Sequence, residues 1–146
     1  MHQIQKAGIH VIGNYIFGLP EDDMETMRET LTLAKELNTE FANFYSAMAY
    51  PGSRLYDMAI QINWELPDSW SGYSQHSYDA KPLPTKHLSA TEVLRFRDLA
   101  FVEFFSNPRY LEMIAQRFGT ETRRHVEAMT KNRLRRRLLE ASGKAA

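Results

Sequence analysis

Hydrophobic and polar positions divide the chain into a β-α-β part and a longer helical part. Apolar residues run almost without a break over residues 9–17 and again over residues 41–48. Continuous runs rich in β-branched and aromatic residues are typical of strands buried on both faces of a parallel sheet. The apolar residues between the two runs recur at helical spacing: Met24, Met27, Leu31, Ala34 and Leu37. The pattern therefore predicts two parallel strands joined by a right-handed crossover through a helix over residues 23–37.

Turn and capping residues mark where these elements end. The first strand stops at Gly18, and Asp22 and Glu25 then have the spacing of a capping box at the start of the helix. The second strand stops at residues 50–53, before a short helix predicted over residues 54–61. Each strand end carries a glycine and a proline, which permit and stiffen a tight turn.

The second half of the chain is predicted to be helical. Ser89 and Glu92 form a capping box that opens a helix through about residue 105. Asn107 and Pro108 open the next helix, which is expected to stop at Gly119 before a last helix with a basic end. The apolar residues of the first of these helices are expected in the core or in an interface: Phe96, Leu99, Ala100, Val102, Phe104 and Phe105.

A loop over residues 62–87 separates the two parts and has no clear period. It contains several aromatic residues and a histidine: Trp64, Trp70, Tyr73, His76 and Tyr78. A loop of this length is suited to lining or covering a substrate cavity, and packing of Trp64 and Trp70 against outer helices is the alternative. The five histidines show no metal-ligand spacing, so solvated or structural roles are expected for them.

Two strands are too few for a stable sheet, which usually needs at least three. Residues 54–146 offer no further convincing strand, and residues 4–7 resemble the last turn of a helix ending at Gly8. We therefore expect a C-terminal fragment of a larger α/β protein. Its missing strands would come from the upstream half of the same polypeptide, which is the expected partner, or from another chain.

Composition and charge narrow the classes of function. The chain has 146 residues, and eighteen basic residues balance eighteen acidic ones, so nothing favours nucleic acid or an anionic membrane as the partner. No apolar run approaches the roughly 20 residues that span a bilayer, and residues 1–10 lack the long apolar segment of a signal peptide, so a cytoplasmic location is expected. The absence of cysteine excludes disulfides, a cysteine nucleophile and thiolate-held metals within this chain.

The carboxyl ends of the two predicted strands are the candidate ligand positions, as in other α/β folds. The first turn is neither a Walker loop nor G-x-G-x-x-G, and its acidic residues would repel a phosphate. A carboxylate beside a helix start, such as that of Asp22, is expected to cap free N–H groups.

Two motifs carry a resemblance to a known family. The stretch AGIHVIGNYIFGLPEDDMETMRETLTLAKEL, followed by NFYSAMAYPGSRLY, resembles the fifth and sixth strand units of radical S-adenosylmethionine (SAM) enzymes. The nearest subgroup is the one often fused to a cobalamin-binding domain. The family's G-x-I-x-G-x-x-E matches residues 14–21 with Asn14 in place of the first glycine, and its P-G-T appears as residues 51–53. The resemblance covers roughly residues 4–60.

The resemblance implies an α/β fold: the last two β/α units of a partial (β/α) barrel, followed by a mainly α-helical extension. It implies a parent enzyme that binds SAM and a [4Fe-4S] cluster and starts radical chemistry on an organic substrate. Cobalamin is a further cofactor that such a parent enzyme can use. The family's C-x-x-x-C-x-x-C motif is absent here and would lie upstream. The isolated chain is therefore expected to be inactive.

The resemblance also assigns positions around SAM. Ile16 and the segment Ala47-Met48 correspond to residues that flank the adenine, and Gly18 would let the chain turn beside the nucleoside. Glu21 would hold the turn, and Asn14 stands where the family has a glycine. No catalytic residue and no metal ligand is expected in this chain.

These expectations divide the chain into a barrel fragment over residues 1–61, the loop over 62–87 and a helical extension over 88–146. One alternative is a non-catalytic module whose helices, residues 88–141, dock a partner protein. Another is RNA binding through a basic run near the end: Lys131, Arg133, Arg135, Arg136 and Arg137. A solvated terminal helix whose bases complement its own dipole is the expected role of that run.

Overall fold

The computed structural model describes residues 2–143. Two parallel strands with helices are followed by a mainly helical part, which confirms the mixed α/β class. The elements are α1 His2–Lys6, β1 Ile12–Phe17, α2 Met24–Leu37, β2 Phe41–Ser46, α3 Arg54–Gln61, a 3-10 turn Trp70–Tyr73, α4 Ala90–Phe105, α5 Pro108–Met129 and α6 Arg137–Gly143.

The two strands lie side by side and parallel, as the sequence predicted. Ile12 pairs with Phe41 at one end of the register and Phe17 pairs with Ser46 at the other. Both strands are shorter than the apolar runs that predicted them. The helix α2 connects them, so the β-α-β unit is confirmed.

Only one face of the sheet is covered, so the prediction that both faces are buried is wrong for the part of the chain that the structure describes. Tyr15, Phe17 and Phe44 alternate toward the helices and are buried. The opposite face is exposed: Ile12, Asn14 and Ile16 from β1, with Phe41 and Asn43 from β2. The helices α2 and α4 both contact the sheet on its buried face, and the apolar side chains of Ile12, Ile16 and Phe41 on the other face stay about half exposed or more.

Aromatic packing joins the sheet to α4 and α5. The ring of Phe44 stacks on Phe17 at 5.9 Å between centroids and meets Phe104 edge-on at 5.4 Å. The buried residues of α4 include Phe96, Ala100, Phe104 and Phe105, as predicted. Leu99 is 55% exposed, so its expected place in the core is wrong. The other predicted place for Leu99, in an interface, stays a prediction.

The start of α2 differs from its prediction by one residue. Asp23, not Asp22, is the N-cap, and its Oδ1 accepts hydrogen bonds from the N–H groups of Glu25 and Thr26, each at 2.9 Å. The Thr26 hydroxyl completes the capping box by accepting from the N–H of Asp23. Two overlapping pairs satisfy the same spacing, and the Asp22 carboxylate turns back to the preceding turn instead.

The helix α5 begins and breaks at the predicted signals. The basic run that follows it differs from its prediction. Asn107 caps α5, and Gly119 breaks that helix with φ 88° and ψ 166°. The stretch after α5 is irregular until α6 begins at Arg137. The basic residues therefore do not share one continuous terminal helix, contrary to the prediction.

Candidate functional site

A cavity of about 320 Å³ lies at the carboxyl ends of β1 and β2. This is the edge at which α/β folds bind ligands, because the turns after the strands meet there. The residues that line it come from both strands, the turns that follow them, α3 and the long loop: Ile16, Leu19, Tyr45, Ser46, Ala47, Met48, Tyr50, Leu55 and Gln75.

Three of the residues that the resemblance assigned to SAM line this cavity together. They are Ile16 at the end of β1 and Ala47 and Met48 just after β2. Asn14 lies farther back on the open face of the sheet, where its Oδ1 accepts a hydrogen bond from Nδ2 of Asn43 at 3.0 Å. Asn14, Gly18 and Glu21 do not line the cavity.

Gly18 has a structural reason to be a glycine. Its φ of 81° is a left-handed conformation that disfavours a side chain. A Cβ built on it would lie 2.4 Å from Cγ1 of Val93, which is buried in α4. The missing side chain thus lets α4 pack against the end of β1, whereas the resemblance attributes the glycine to a nearby nucleoside.

Two carboxylates make contacts at the turn after β1. Oδ2 of Asp22 accepts hydrogen bonds from the N–H groups of Gly18 and Leu19, each at 2.9 Å. Glu21 forms an exposed ion pair with Lys86 at 2.5 Å, and the Lys86 N–H donates to the carbonyl of Pro20 at 2.9 Å. Glu21 therefore contacts the long loop through an exposed pair, and its expected role in holding the turn stays a prediction.

One main-chain donor beside the cavity lacks a partner within the described part of the chain. It is the N–H of Met48, since the ladder ends with the bond from the Ala47 N–H to the Phe17 carbonyl at 2.7 Å. The Ser46 hydroxyl also lacks a hydrogen bond, but it is buried and belongs to the helix-facing side of β2, because Ser46 alternates with Tyr45 and follows Phe44 by two positions. Apolar walls with a few free polar groups are typical of small-molecule sites.

Gln75 forms the loop's contribution to the cavity. Its Oε1 accepts from the Ser46 N–H at 3.0 Å, and its Nε2 donates to the Ser46 carbonyl at 2.9 Å. The side-chain amide thus occupies both main-chain groups at the outer edge of β2, as a neighbouring strand would.

The sequence did not predict Gln75 as a site residue. Gln75 and Ser46, whose main chain it binds, are 29 positions apart, and no local pattern links them. Tyr45 was also missed, although a signal existed. It pairs with Ile16 in the strand register, so it belongs on the same face. Tyr50 lies in the second turn, which was a candidate ligand position without a named residue.

The long loop is packed in part. Trp64 packs against a small buried cluster formed by Ala49, Ala59 and Leu83, which agrees with the packing alternative for this residue. Trp70 is 78% exposed, so the same alternative is wrong for it. The substrate-cavity role stays a prediction, and Gln75 is the loop residue that lines the cavity.

Acidic partners neutralise much of the basic run. Arg136 pairs with Asp98 at 2.9 Å, Arg135 with Glu140 at 2.8 Å and Arg137 with Asp79 at 2.5 Å. The Arg136 side chain is fully buried, so its expected solvation is wrong. Paired and buried charges contribute little to a phosphate-binding surface, which weakens the RNA-binding alternative.

Two properties of the described residues bear on other classes of function. Within residues 2–143, no group of three or more histidine, aspartate or glutamate side chains is placed to hold a metal ion. None of the described helices combines the length and the apolar character needed to cross a membrane.

Comparison with known proteins gives one distant relative. A protein of Pyrococcus horikoshii, named an uncharacterized methyltransferase, is 31% identical to this chain over 107 residues. The match covers 73% of this chain and 23% of the relative, so the chain spans about a quarter of that protein's length. No family model and no solved structure matches the chain. The chain is thus distantly homologous to part of a protein named as a methyltransferase.

Proposed function

We propose that the chain is the C-terminal part of a radical SAM enzyme, and that its cavity holds the adenine end of SAM. One observation carries the proposal: Ile16, Ala47 and Met48, which the resemblance assigns to adenine, line one cavity. Ile16 lies on one strand, and Ala47 and Met48 follow the other. Their convergence requires the parallel pairing of β1 and β2.

The residues present fit the adenine end of SAM. The side chains of Ile16 and Met48 offer apolar contacts for the faces of a flat ring, and the free N–H of Met48 offers a donor to a ring nitrogen. These residues bind and orient the ring and exclude water from it. When bound, SAM would supply radical chemistry at a [4Fe-4S] cluster, whose cysteine ligands would belong to the upstream part.

The relative narrows the reaction class. Its name favours methyl transfer among the reactions open to such enzymes. A second SAM molecule would then supply the methyl group, because reductive cleavage of the first leaves its methyl group on methionine. Cobalamin is a further cofactor that this proposal allows in the full-length protein. The organic substrate would approach from the cavity's open side, beside the loop over residues 62–87.

The unpaired outer edge of β1 supports the presence of further strands in the full-length protein. The flanking bonds of the ladder place the main-chain groups of Ile12, Asn14 and Ile16 on the outer edge of β1. None of the residues that the structure describes hydrogen-bonds to them. In this proposal the upstream half of the polypeptide pairs with this edge, residues 1–61 close the barrel, and residues 88–146 form the helical extension.

Calorimetric titration of SAM into the full-length protein tests the proposal. Ile16→Ala removes apolar contact from the cavity and should weaken SAM binding about tenfold. Ile12→Ala is the matched control, because Ile12 lies on the same strand and the same open face but does not line the cavity. Equal effects of the two substitutions, or none from either, would contradict the proposed site.

A non-catalytic interaction module is the second candidate, favoured by the exposed apolar residues of the open face. Ile12, Ile16 and Phe41 are each about half exposed or more. In such a module a partner protein covers this face, and replacing Ile12 or Ile16 weakens capture of that partner to similar extents. SAM affinity would then be absent from the full-length protein.

A further inference from the structure

The cavity wall formed by Gln75 is held in place by the end of the chain. Three consecutive residues of the loop, Ser77 to Asp79, contact the C-terminal basic segment, residues 135–137. Arg136 Nη1 donates to the Ser77 carbonyl at 2.9 Å, and the Arg137 N–H donates to the Tyr78 carbonyl at 2.8 Å. The loop that carries Gln75 is thus fixed two residues beyond it.

Arg136 is anchored in turn to α4. Its Nε and Nη2 donate to the two carboxylate oxygens of Asp98 at 3.0 and 2.9 Å. Asp98 also accepts from Nη1 of Arg97, whose Nε donates to the Phe44 carbonyl in β2 at 2.8 Å. A bidentate arginine–carboxylate pair fixes direction as well as distance, because both groups are planar.

These contacts form a closed circuit that begins and ends on β2. From Phe44 it passes through Arg97, Asp98 and Arg136 to the loop, and Gln75 returns it to Ser46. The Arg136 side chain is fully buried and that of Arg97 is 5% exposed, so water competes little for these bonds. A shift of Arg136 would therefore be transmitted to Gln75 and to the cavity wall.

We propose that Arg136 is a positioning residue for the cavity, acting through Ser77 and Gln75. The inference rests on the proposed function, since it names a residue outside the cavity that sets its affinity for SAM. Arg136 bonds three acceptor oxygens on two elements with one rigid guanidinium. Lysine cannot reproduce that arrangement, because its ammonium is a single point of charge.

The test combines loop exchange with SAM titration in the full-length protein. Arg136→Met should speed amide hydrogen exchange over residues 71–83, leave β1 unchanged and weaken SAM binding about fivefold. Arg133→Met is the matched control, because Arg133 is an exposed arginine three positions away. If Arg136→Met does not fold, Arg136→Lys keeps a charge beside Asp98 and should show the same changes to a smaller degree.

A double-substitution cycle separates positioning from general stability. Gln75→Ala should itself weaken SAM binding, and Arg136→Met should add little to it if Arg136 acts through Gln75. If the double variant weakens SAM binding by the product of the two single factors, Arg136 does not act through Gln75 and the inference is overturned. Unchanged SAM affinity or unchanged loop exchange in Arg136→Met would overturn it as well. If Ile16→Ala and Gln75→Ala both leave SAM affinity unchanged, the proposed function fails. Loop exchange in Arg136→Met then still decides whether Arg136 holds Gln75.

Discussion

The two ends of the sheet differ in what occupies them: a buried ion pair joins elements at the amino end, whereas a cavity opens at the carboxyl end. At the amino end, Glu40 precedes β2 with a side chain that is fully buried. Its carboxylate bonds Arg117 and accepts from the N–H of Val11 at 2.9 Å, and its carbonyl accepts from the Tyr110 hydroxyl at 3.1 Å. At the carboxyl end, the N–H of Met48, a residue that lines the cavity, has no hydrogen-bond partner among the described residues.

This difference separates the contacts that stabilise the sheet from the candidate binding site. Each bond at the amino end joins a strand start to another element, and α5 supplies both Tyr110 and Arg117. Burial and the charge of Glu40 raise the pKa of Tyr110 to about 12, so its hydroxyl stays a donor at neutral pH. The cavity lies at the carboxyl end, where such folds carry their functional sites.

The largest expected effect is at the amino end. Glu40→Ala should lower the free energy of unfolding by about 3 kcal/mol, because it leaves Arg117 and the N–H of Val11 without their acceptor. Urea unfolding followed by circular dichroism measures the loss. Exposed Glu36 provides the control, and its replacement by alanine should stay within about 0.5 kcal/mol. A comparable loss of stability in Glu36→Ala would contradict a special role for Glu40. Weaker SAM binding by folded Glu40→Ala would show that the amino end also contributes to binding.

A smaller effect is expected where the carboxyl end meets α4. Gly18→Val should cost about 2 kcal/mol, since the side chain meets Val93 and the backbone is left-handed. Gly52→Ala measures the cost of the left-handed backbone alone, because Gly52 has a φ of 82° with open space around it. This substitution should cost about 1 kcal/mol. Thermal unfolding of the two variants compares them. Equal losses would mean that close packing on α4 is unimportant.

The smallest expected effect is a pH dependence confined to the amino end. Burial alone would raise the pKa of Glu40, but the N–H of Val11, a backbone bond and Arg117 outweigh it and hold that pKa below its usual value. The carboxylate therefore stabilises the fold fully above about pH 4.3, and that contribution disappears as the pH falls through the lowered pKa.

Glu40→Gln makes this pH dependence measurable. Its deficit in unfolding free energy relative to the natural sequence should be largest near neutral pH and should shrink in acid. Urea unfolding at a series of pH values follows that gap. A deficit that stays constant down to pH values well below about 4 would show that the charge of Glu40 is not what closes the amino end.

Local patterns predicted the helices and the strand pairing, because caps and periodicity act over a few residues. Ser89 with Glu92, and Asn107 with Pro108, marked helix starts that the structure confirms. The exact cap of α2 was ambiguous since Asp22 and Asp23 both had suitable residues three positions on.

Long-range contacts account for what the sequence could not predict. The partner of Arg136 lies 38 positions away, so a buried ion pair looked like part of a solvated basic run. The same holds for Gln75 and Ser46. Of the candidate site, Ile16, Ala47 and Met48 came from the family resemblance, whereas Tyr50 and Leu55 needed the fold to join them to the cavity.

The unpaired outer edge of β1 has a consequence for how the chain behaves in concentrated solution. Free main-chain groups beside exposed Ile12 and Ile16 form a template on which a second extended segment can add. Copies that meet through this edge would aggregate instead of remaining dispersed. A neighbouring strand that occupies the edge therefore protects solubility as well as completing a sheet, and expression yield becomes sensitive to whether that strand is present.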